Sequence, residues 1–80
     1  MNQPMPDYKI IGNRIREILI RKGMNKTAFS DFVGFNRITL NAYESGRQKP
    51  NAEILYLIAE KTGFSLDWIY GLSERERRKP

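Results

Sequence analysis

The chain contains no cysteine and no histidine among its 80 residues. Without cysteine it can form no disulfide, no thiolate metal site and no cysteine nucleophile. Without histidine it lacks the commonest general base and the commonest metal ligand. No pair of carboxylates stands in a cleft-forming context either. We therefore expect no enzymatic activity, no metal, no cofactor and no small-molecule ligand.

Long apolar runs are missing as well. No stretch approaches the ~20 apolar residues that a helix needs to cross a bilayer. The N-terminal sequence MNQPMPDYK has no apolar core of the kind found in signal peptides. These two features predict a cytoplasmic protein without a membrane partner.

What the chain does contain is a basic surplus and enough apolar residues for one core. Lysine and arginine number 14 against 9 acidic residues, which gives a formal net charge of +5, and 40% of the residues are hydrophobic. A length of 80 residues allows one domain. The positive charge favours a polyanionic partner, nucleic acid before a membrane surface, unless it serves only solubility.

Apolar residues recur at helical spacing in five short segments that glycines and capping residues separate. The predicted helices cover residues 7–22, 26–33, 37–45, 52–62 and 66–70. In the fourth of them, Ile54, Leu57 and Ile58 are expected to face inward. The pattern predicts an all-α domain over residues 7–72, preceded by a flexible arm (1–6) and followed by a mobile charged tail (73–80).

The second and third predicted helices meet the requirements of a helix-turn-helix. Ser30 is small enough for a point where two helices approach, and Gly34 can adopt a positive φ at little cost. The apolar residues that can lock the two helices together are Phe29, Val33, Leu40 and Tyr43. The other side of the third helix is then left for the edges of DNA bases, through Asn36, Arg37, Ile38, Asn41 and Ala42.

Four segments carry a resemblance to a known family, namely IGNRIREI, KGMNKTAFSDFVGFNRITLNAYESGRQKPN, IAEKTGFS and SLDWIYG. Residues 26–45 have the family's twenty-residue spacing, and the pattern E-x-G-x-x-x-P follows, ending at Pro50. Residues 11–71 thus resemble the Cro/repressor-type helix-turn-helix domain, also called the xenobiotic-response-element family. The resemblance implies a five-helix, lambda-repressor-like fold.

The function that the resemblance implies is sequence-specific binding of double-stranded DNA by a transcriptional regulator. We expect a phage, prophage or bacterial repressor that acts as a homodimer on a palindromic operator. The alternative is a protein-interaction module with the same fold, such as an antitoxin or an anti-repressor-binding domain.

The family's recognition helix corresponds to residues 36–45, with Arg37, Ile38 and Ala42 turned toward the major groove. The planar donor fork of Arg37 suits guanine O6 and N7, or else a phosphate. Ile38 suits a thymine methyl group, or else is a surface apolar residue or a partial member of the core. Asn41 suits adenine, or else only meets solvent.

The resemblance also implies residues for the phosphate backbone and for the dimer. Phosphate contacts are expected at the start of the second helix and in the basic connector, from Asn25, Lys26, Arg47 and Lys49. Asn25 and Asn36 are predicted to be helix caps first. Candidates for the dimer contact, unless they close the core instead, are Phe64, Ile69, Tyr70 and Leu72.

Three departures from the family pattern bear on these roles. The family often has glutamine where Lys26 stands, and lysine cannot brace the recognition helix in the same way. An arginine that often pairs with the glutamate matching Glu44 is replaced by Leu19, so Glu44 needs another partner or stays in water. Phe32 replaces a residue that is commonly polar.

Overall fold

The computed structural model describes residues 8–76, and the regular elements of that part are five α-helices. They are α1 (Tyr8–Arg21), α2 (Lys26–Val33), α3 (Arg37–Glu44), α4 (Ala52–Thr62) and α5 (Leu66–Ile69). The prediction of an all-α fold of the lambda-repressor kind is confirmed. None of these helices has the length and apolarity that crossing a membrane requires. The predicted arm and the last four residues lie outside the described part.

The observed bounds of α2 and α4 are those predicted, because the signals that start and end these helices are local. Each begins after an asparagine whose side chain accepts a backbone N–H: Asn25 from Ala28, at 2.8 Å, and Asn51 from Ile54, also at 2.8 Å. Each ends at a glycine with left-handed φ. The helices α1, α3 and α5 end one residue earlier than predicted. A difference of this size is the usual uncertainty of a helix end.

Every helix contributes side chains to a single core. The buried hydrophobic residues are Ile11, Ile15, Ile18, Leu19, Phe29, Val33, Leu40, Tyr43, Leu55, Ile58, Ala59, Phe64, Trp68 and Ile69. In α4 the predicted inward-facing Ile58 is fully buried, and Ile54 and Leu57 are half-buried and pack against the core. Leu55, which was not predicted, is buried as well. Apolar residues occupy both sides of α4, so its own pattern does not say which side is covered most deeply.

The helices α1 and α3 cross in close contact at Gly12. A Cβ atom built on Gly12 would lie 2.1 Å from the backbone oxygen of Tyr43 and 3.0 Å from the Cα of Glu44. Backbone atoms cannot move aside as a flexible side chain can. Only glycine therefore fits at this crossing, and α1 holds the C-terminal half of α3 through direct backbone contact.

The segment that follows α5 returns to α1. The backbone N–H of Ser65 donates to the carbonyl oxygen of Glu76 at 2.7 Å, and the guanidinium of Arg21 pairs with the carboxylates of Glu17 and Glu76. The hydrogen bond to Glu76 raises the pKa of Arg21 above its usual value. Glu76 belongs to the predicted mobile tail, whose mobility stays a prediction.

We expect Gly12→Ala to lower the free energy of unfolding by about 1–3 kcal/mol, because the added methyl group overlaps the backbone of α3. In an unobstructed helix the same change would stabilise the protein by roughly 0.5–1 kcal/mol, so the sign of the effect is informative. Urea unfolding followed by circular dichroism measures it. The matched control is Asn13→Ala, at the neighbouring exposed position of α1, which should cause no loss. Unchanged or raised stability of Gly12→Ala would contradict the close contact.

Candidate nucleic-acid interface

The angle between α2 and α3 is set by a turn at Gly34. This glycine has φ of +103°, a conformation that other L-residues adopt only with strain. The backbone N–H groups of Gly34 and Phe35 both donate to the carbonyl oxygen of Ser30, at 2.7 and 2.9 Å. Ser30 is itself buried, and its hydroxyl donates to the carbonyl of Lys26 at 2.8 Å. As predicted, a small residue and a glycine allow the close pairing of the two helices.

One side of α3 is clamped from behind by apolar and aromatic side chains. Leu40 and Tyr43 are buried, and the rings of Phe29, Phe35 and Tyr43 pack in sequence with centroid separations of 6.4 and 5.6 Å. Burial raises the pKa of the Tyr43 phenol above its usual value, so this hydroxyl remains protonated at neutral pH. The clamp leaves the opposite side of α3 uncovered.

The uncovered side, which we call the outer face of α3, contains the five residues predicted to meet base edges. Arg37 is exposed and Ile38 is 74% exposed, whereas Asn41 and Ala42 are half-buried. An isoleucine this exposed adds nothing to the core, so the alternative of partial core membership does not apply to it. The fifth residue, Asn36, precedes the helix.

Asn36 acts as the N-cap of α3. Its side-chain oxygen accepts hydrogen bonds from the backbone N–H groups of Ile38, at 2.7 Å, and Thr39, at 3.3 Å. Asn25 uses its side-chain oxygen in the same way at the start of α2. Both asparagines are therefore caps, as predicted, and each keeps its amide NH₂ group for a further contact.

Lys26 contacts α3, which the sequence analysis did not foresee. Its Nζ lies 2.9 Å from Oδ1 of Asn41 and 3.3 Å from Oε1 of Glu44. Lys26 thus braces the recognition helix in its own manner, and Glu44 gains the partner that Leu19 cannot provide. The contact joins the first residue of α2 to the last residue of α3.

A signal for this contact is present in the sequence. The family's usual arginine partner for Glu44 is missing, while a lysine occupies the helix-2 position that in the family braces the recognition helix. An unpaired carboxylate and a new cation, both next to the same helix pair, indicate a replacement ion pair. Reading the two departures together would have predicted it.

The connector after α3 carries the other predicted phosphate-binding cations, Arg47 and Lys49. Both residues are exposed. The backbone N–H of Arg47 donates to the carbonyl of Ala42 at 3.0 Å, and its side-chain Nε donates to Oγ of Ser45 at 2.9 Å. Arg47 is therefore held at the C-terminal end of α3, and Lys49 follows two residues later.

The four dimer candidates divide into two pairs. Phe64 and Ile69 are fully buried in the core, which agrees with the alternative that they are core residues. Neither has side-chain surface that a second copy of the chain could contact. Tyr70 is half-buried and Leu72 is 78% exposed. Only this second pair retains surface for an interface.

Comparison with protein families agrees with this geometry. A model of the helix-turn-helix family matches residues 15–69, which include all of α2, the turn and α3. The chain belongs to the Cro/C1-type helix-turn-helix family. Comparison with curated proteins and with solved structures found no match.

Membership of this family makes the protein a DNA-binding transcriptional regulator, with double-stranded DNA as its partner. The family is typically non-enzymatic. Among residues 8–76 of this helix-turn-helix regulator, no three histidine, cysteine or acidic side chains are grouped so that they could hold a metal ion.

We expect Asn36→Ala to lower the free energy of unfolding by ~1 kcal/mol, because the first N–H groups of α3 lose their acceptor. Asn36→Asp keeps a capping oxygen at the same place and should keep the wild-type stability. Thermal unfolding of the two variants beside the wild type measures the difference. Equal destabilisation by alanine and aspartate would mean that Asn36 does not stabilise the protein as a cap.

Proposed function

We propose that this regulator is a sequence-specific repressor of phage, prophage or bacterial origin that binds a palindromic operator as a homodimer. The observation that carries the proposal is the outer face of α3. It begins with the exposed Arg37 and Ile38 and continues with the half-buried Asn41 and Ala42. Leu40 and Tyr43 anchor the same helix from behind. A short helix held this rigidly can enter the major groove without losing its place in the fold.

In the proposal, Arg37 and Ile38 read bases from the start of the recognition helix. Arg37 is free of ion pairs within the described part of the chain, so its donor fork can be directed at guanine O6 and N7. The exposed side chain of Ile38 suits the methyl group of thymine. Ala42, one turn further along, is small enough to let the helix approach the groove closely.

Phosphate contacts would flank these bases on two sides. Arg47 and Lys49 lie at the C-terminal end of α3, while the N-terminus of α2 presents Asn25 and Lys26. Free N–H groups at a helix N-terminus favour an anion, which supports a phosphate there. Lys26 directs two contacts at α3, so it has one N–H bond left for a phosphate.

A dimer would double the few base contacts that one copy can make. Two half-sites separated by one turn of DNA, ~34 Å, require two recognition helices related by a two-fold axis. Leu72 is exposed and apolar next to the half-buried Tyr70, which supports a contact between copies at the end of α5. Repression would follow when the bound dimer blocks access of RNA polymerase.

The alternative function, a protein-interaction module, would use the outer face of α3 or an apolar patch that contains Ile20 and Phe32. Ile20 is 61% exposed and Phe32 is 38% exposed. Lys61 already occupies part of that surface, since its amine lies 5.8 Å from the Phe32 ring centroid and donates to the Phe32 carbonyl. We therefore favour DNA over another protein as the main partner of this chain.

We expect Arg37→Ala to weaken binding to the selected operator by about 5- to 100-fold, with a much smaller loss on random DNA, because a bidentate guanine contact carries ~1–3 kcal/mol of discrimination. The matched control is Lys49→Ala, which removes one phosphate contact and should weaken both DNAs alike. Fluorescence anisotropy of the wild type and both variants with the two duplexes measures the six affinities. Equal losses for Arg37→Ala on both would remove Arg37 from base readout.

The salt dependence of operator binding tests the number of phosphate contacts. A dimer that uses Lys26, Arg47 and Lys49 should give a slope of log affinity against log salt of about −5, or about −4 if Lys26 remains committed to Glu44. A slope near zero would count against the whole electrostatic interface.

Sedimentation of the protein with operators carrying one or two half-sites distinguishes the dimer from a monomer that binds alone.

A further inference from the structure

Lys26 connects the two helices of the helix-turn-helix through two neighbouring side chains of α3. Its Nζ lies 2.9 Å from Oδ1 of Asn41 and 3.3 Å from Oε1 of Glu44. Asn41 and Glu44 are three residues apart, so they stand next to each other on one side of the helix. One of them is a predicted base reader and the other a half-buried carboxylate.

The identity of the contacting atom on Asn41 follows from the chemistry of lysine. An ammonium group has three N–H donors and no acceptor. The Asn41 atom that faces it must therefore be the carbonyl oxygen, because the amide nitrogen is also only a donor. The carboxamide is thereby oriented, with its NH₂ group on the branch away from Lys26.

The carboxylate of Glu44 stabilises Lys26 in this position. The Glu44 side chain is only 10% exposed, and its Oε2 is the one buried side-chain polar atom in residues 8–76 that has no hydrogen-bond partner. A carboxylate this buried is costly without a nearby cation. Leu19 is apolar and buried and supplies no charge there. The Lys26 side chain is 48% exposed, and the buried carboxylate of Glu44 attracts its ammonium toward α3.

We propose that Lys26 determines which base Asn41 reads, a proposal that rests on DNA binding by the outer face of α3. Bidentate recognition of adenine requires both a donor and an acceptor from the asparagine. Lys26 holds the Asn41 oxygen toward itself and uses one of its two lone pairs, so the carboxamide presents chiefly its NH₂ group, whose two N–H donors match the two acceptors O6 and N7 of guanine. Asn41 thus prefers guanine to adenine, and Lys26 is the positioning residue for that preference.

The test begins with duplexes selected by the full chain from a random pool. Each G·C pair of the selected half-site is then replaced by A·T, and affinities are measured for the wild type and Asn41→Ala. We expect one replacement to cost the wild type about fivefold or more in affinity and to cost Asn41→Ala nothing, which identifies the pair that Asn41 reads. If every G·C replacement costs Asn41→Ala as much affinity as it costs the wild type, no guanine is read by Asn41 and the proposal is overturned.

Lys26→Met removes the ammonium and keeps most of the side-chain length. We expect it to reduce the guanine preference at that pair to less than about twofold, since the carboxamide is then free to turn over. Lys26→Arg keeps donors without an acceptor and should retain the preference. The matched control is Lys49→Met in the connector, which should weaken all duplexes alike and leave the preference unchanged. If Lys26→Met behaves like Lys49→Met, the proposal is wrong.

Asn41→Asp tests the same idea without disturbing Lys26. Aspartate offers only acceptors, so the preferred base at the identified pair should change from guanine to cytosine, whose N4 amine donates. An unchanged preference for guanine would contradict the role given to Asn41. Failure of the proposed function has a different outcome: the wild type would then select no duplex at all, whereas failure of the Lys26 proposal leaves selection and salt dependence intact.

Discussion

The backbone contact between α1 and α3 at Gly12 is the constraint on which the interface depends. With no side chain between the helices, the peptide groups of Tyr43 and Glu44 lie directly against α1. A recognition helix has to be rigid, because an error of about one ångström in its place is comparable to the tolerance of a hydrogen bond to a base edge. Backbone contact gives this rigidity more directly than interdigitated side chains, which can change rotamer.

With α3 fixed at that crossing, its different sides have different roles. The side toward the core holds Leu40 and Tyr43 and fixes the helix. The outer face begins with Arg37 and Ile38, which contribute little to the core and which we propose as base-reading residues. Between these sides lies the pair of Lys26 and Glu44, where charge at the start of α2 meets a carboxylate at the end of α3. At this edge the ion pair that holds α3 lies next to a residue proposed to read bases. The same edge is where the chain departs from the pattern of its family.

Much of the fold could be predicted because the signals that divide this chain into helices are local. An asparagine that caps, such as Asn51, bonds a backbone group three residues away, and a glycine that ends a helix needs only its own φ. The spacing of Leu40 and Tyr43 likewise showed which side of α3 is buried. The outer face followed from the same periodicity, together with the family pattern.

Contacts between helices were harder to predict, as α4 and the end of the chain illustrate. Ile54 and Leu57 are half-buried because neighbouring helices cover α4 from a direction that its own apolar pattern does not specify. Phe64 and Ile69 are core residues rather than available dimer surface for the same reason. The exposure of a residue depends on which other segment of the chain packs over it, and that segment is distant in sequence.

The sequence by itself thus determined the number of helices, their ends, their caps and the side of α3 that stays exposed, since each depends on residues within one or two helical turns. Only the tertiary structure decided that Lys26 would reach Asn41, that Arg14 would lie 4.4 Å from the Trp68 ring centroid, and that α1 would touch α3 at Gly12. Those contacts depend on the rotation and separation of whole helices. These quantities are set by the packing of the entire core at once, and no local stretch of the chain contains them.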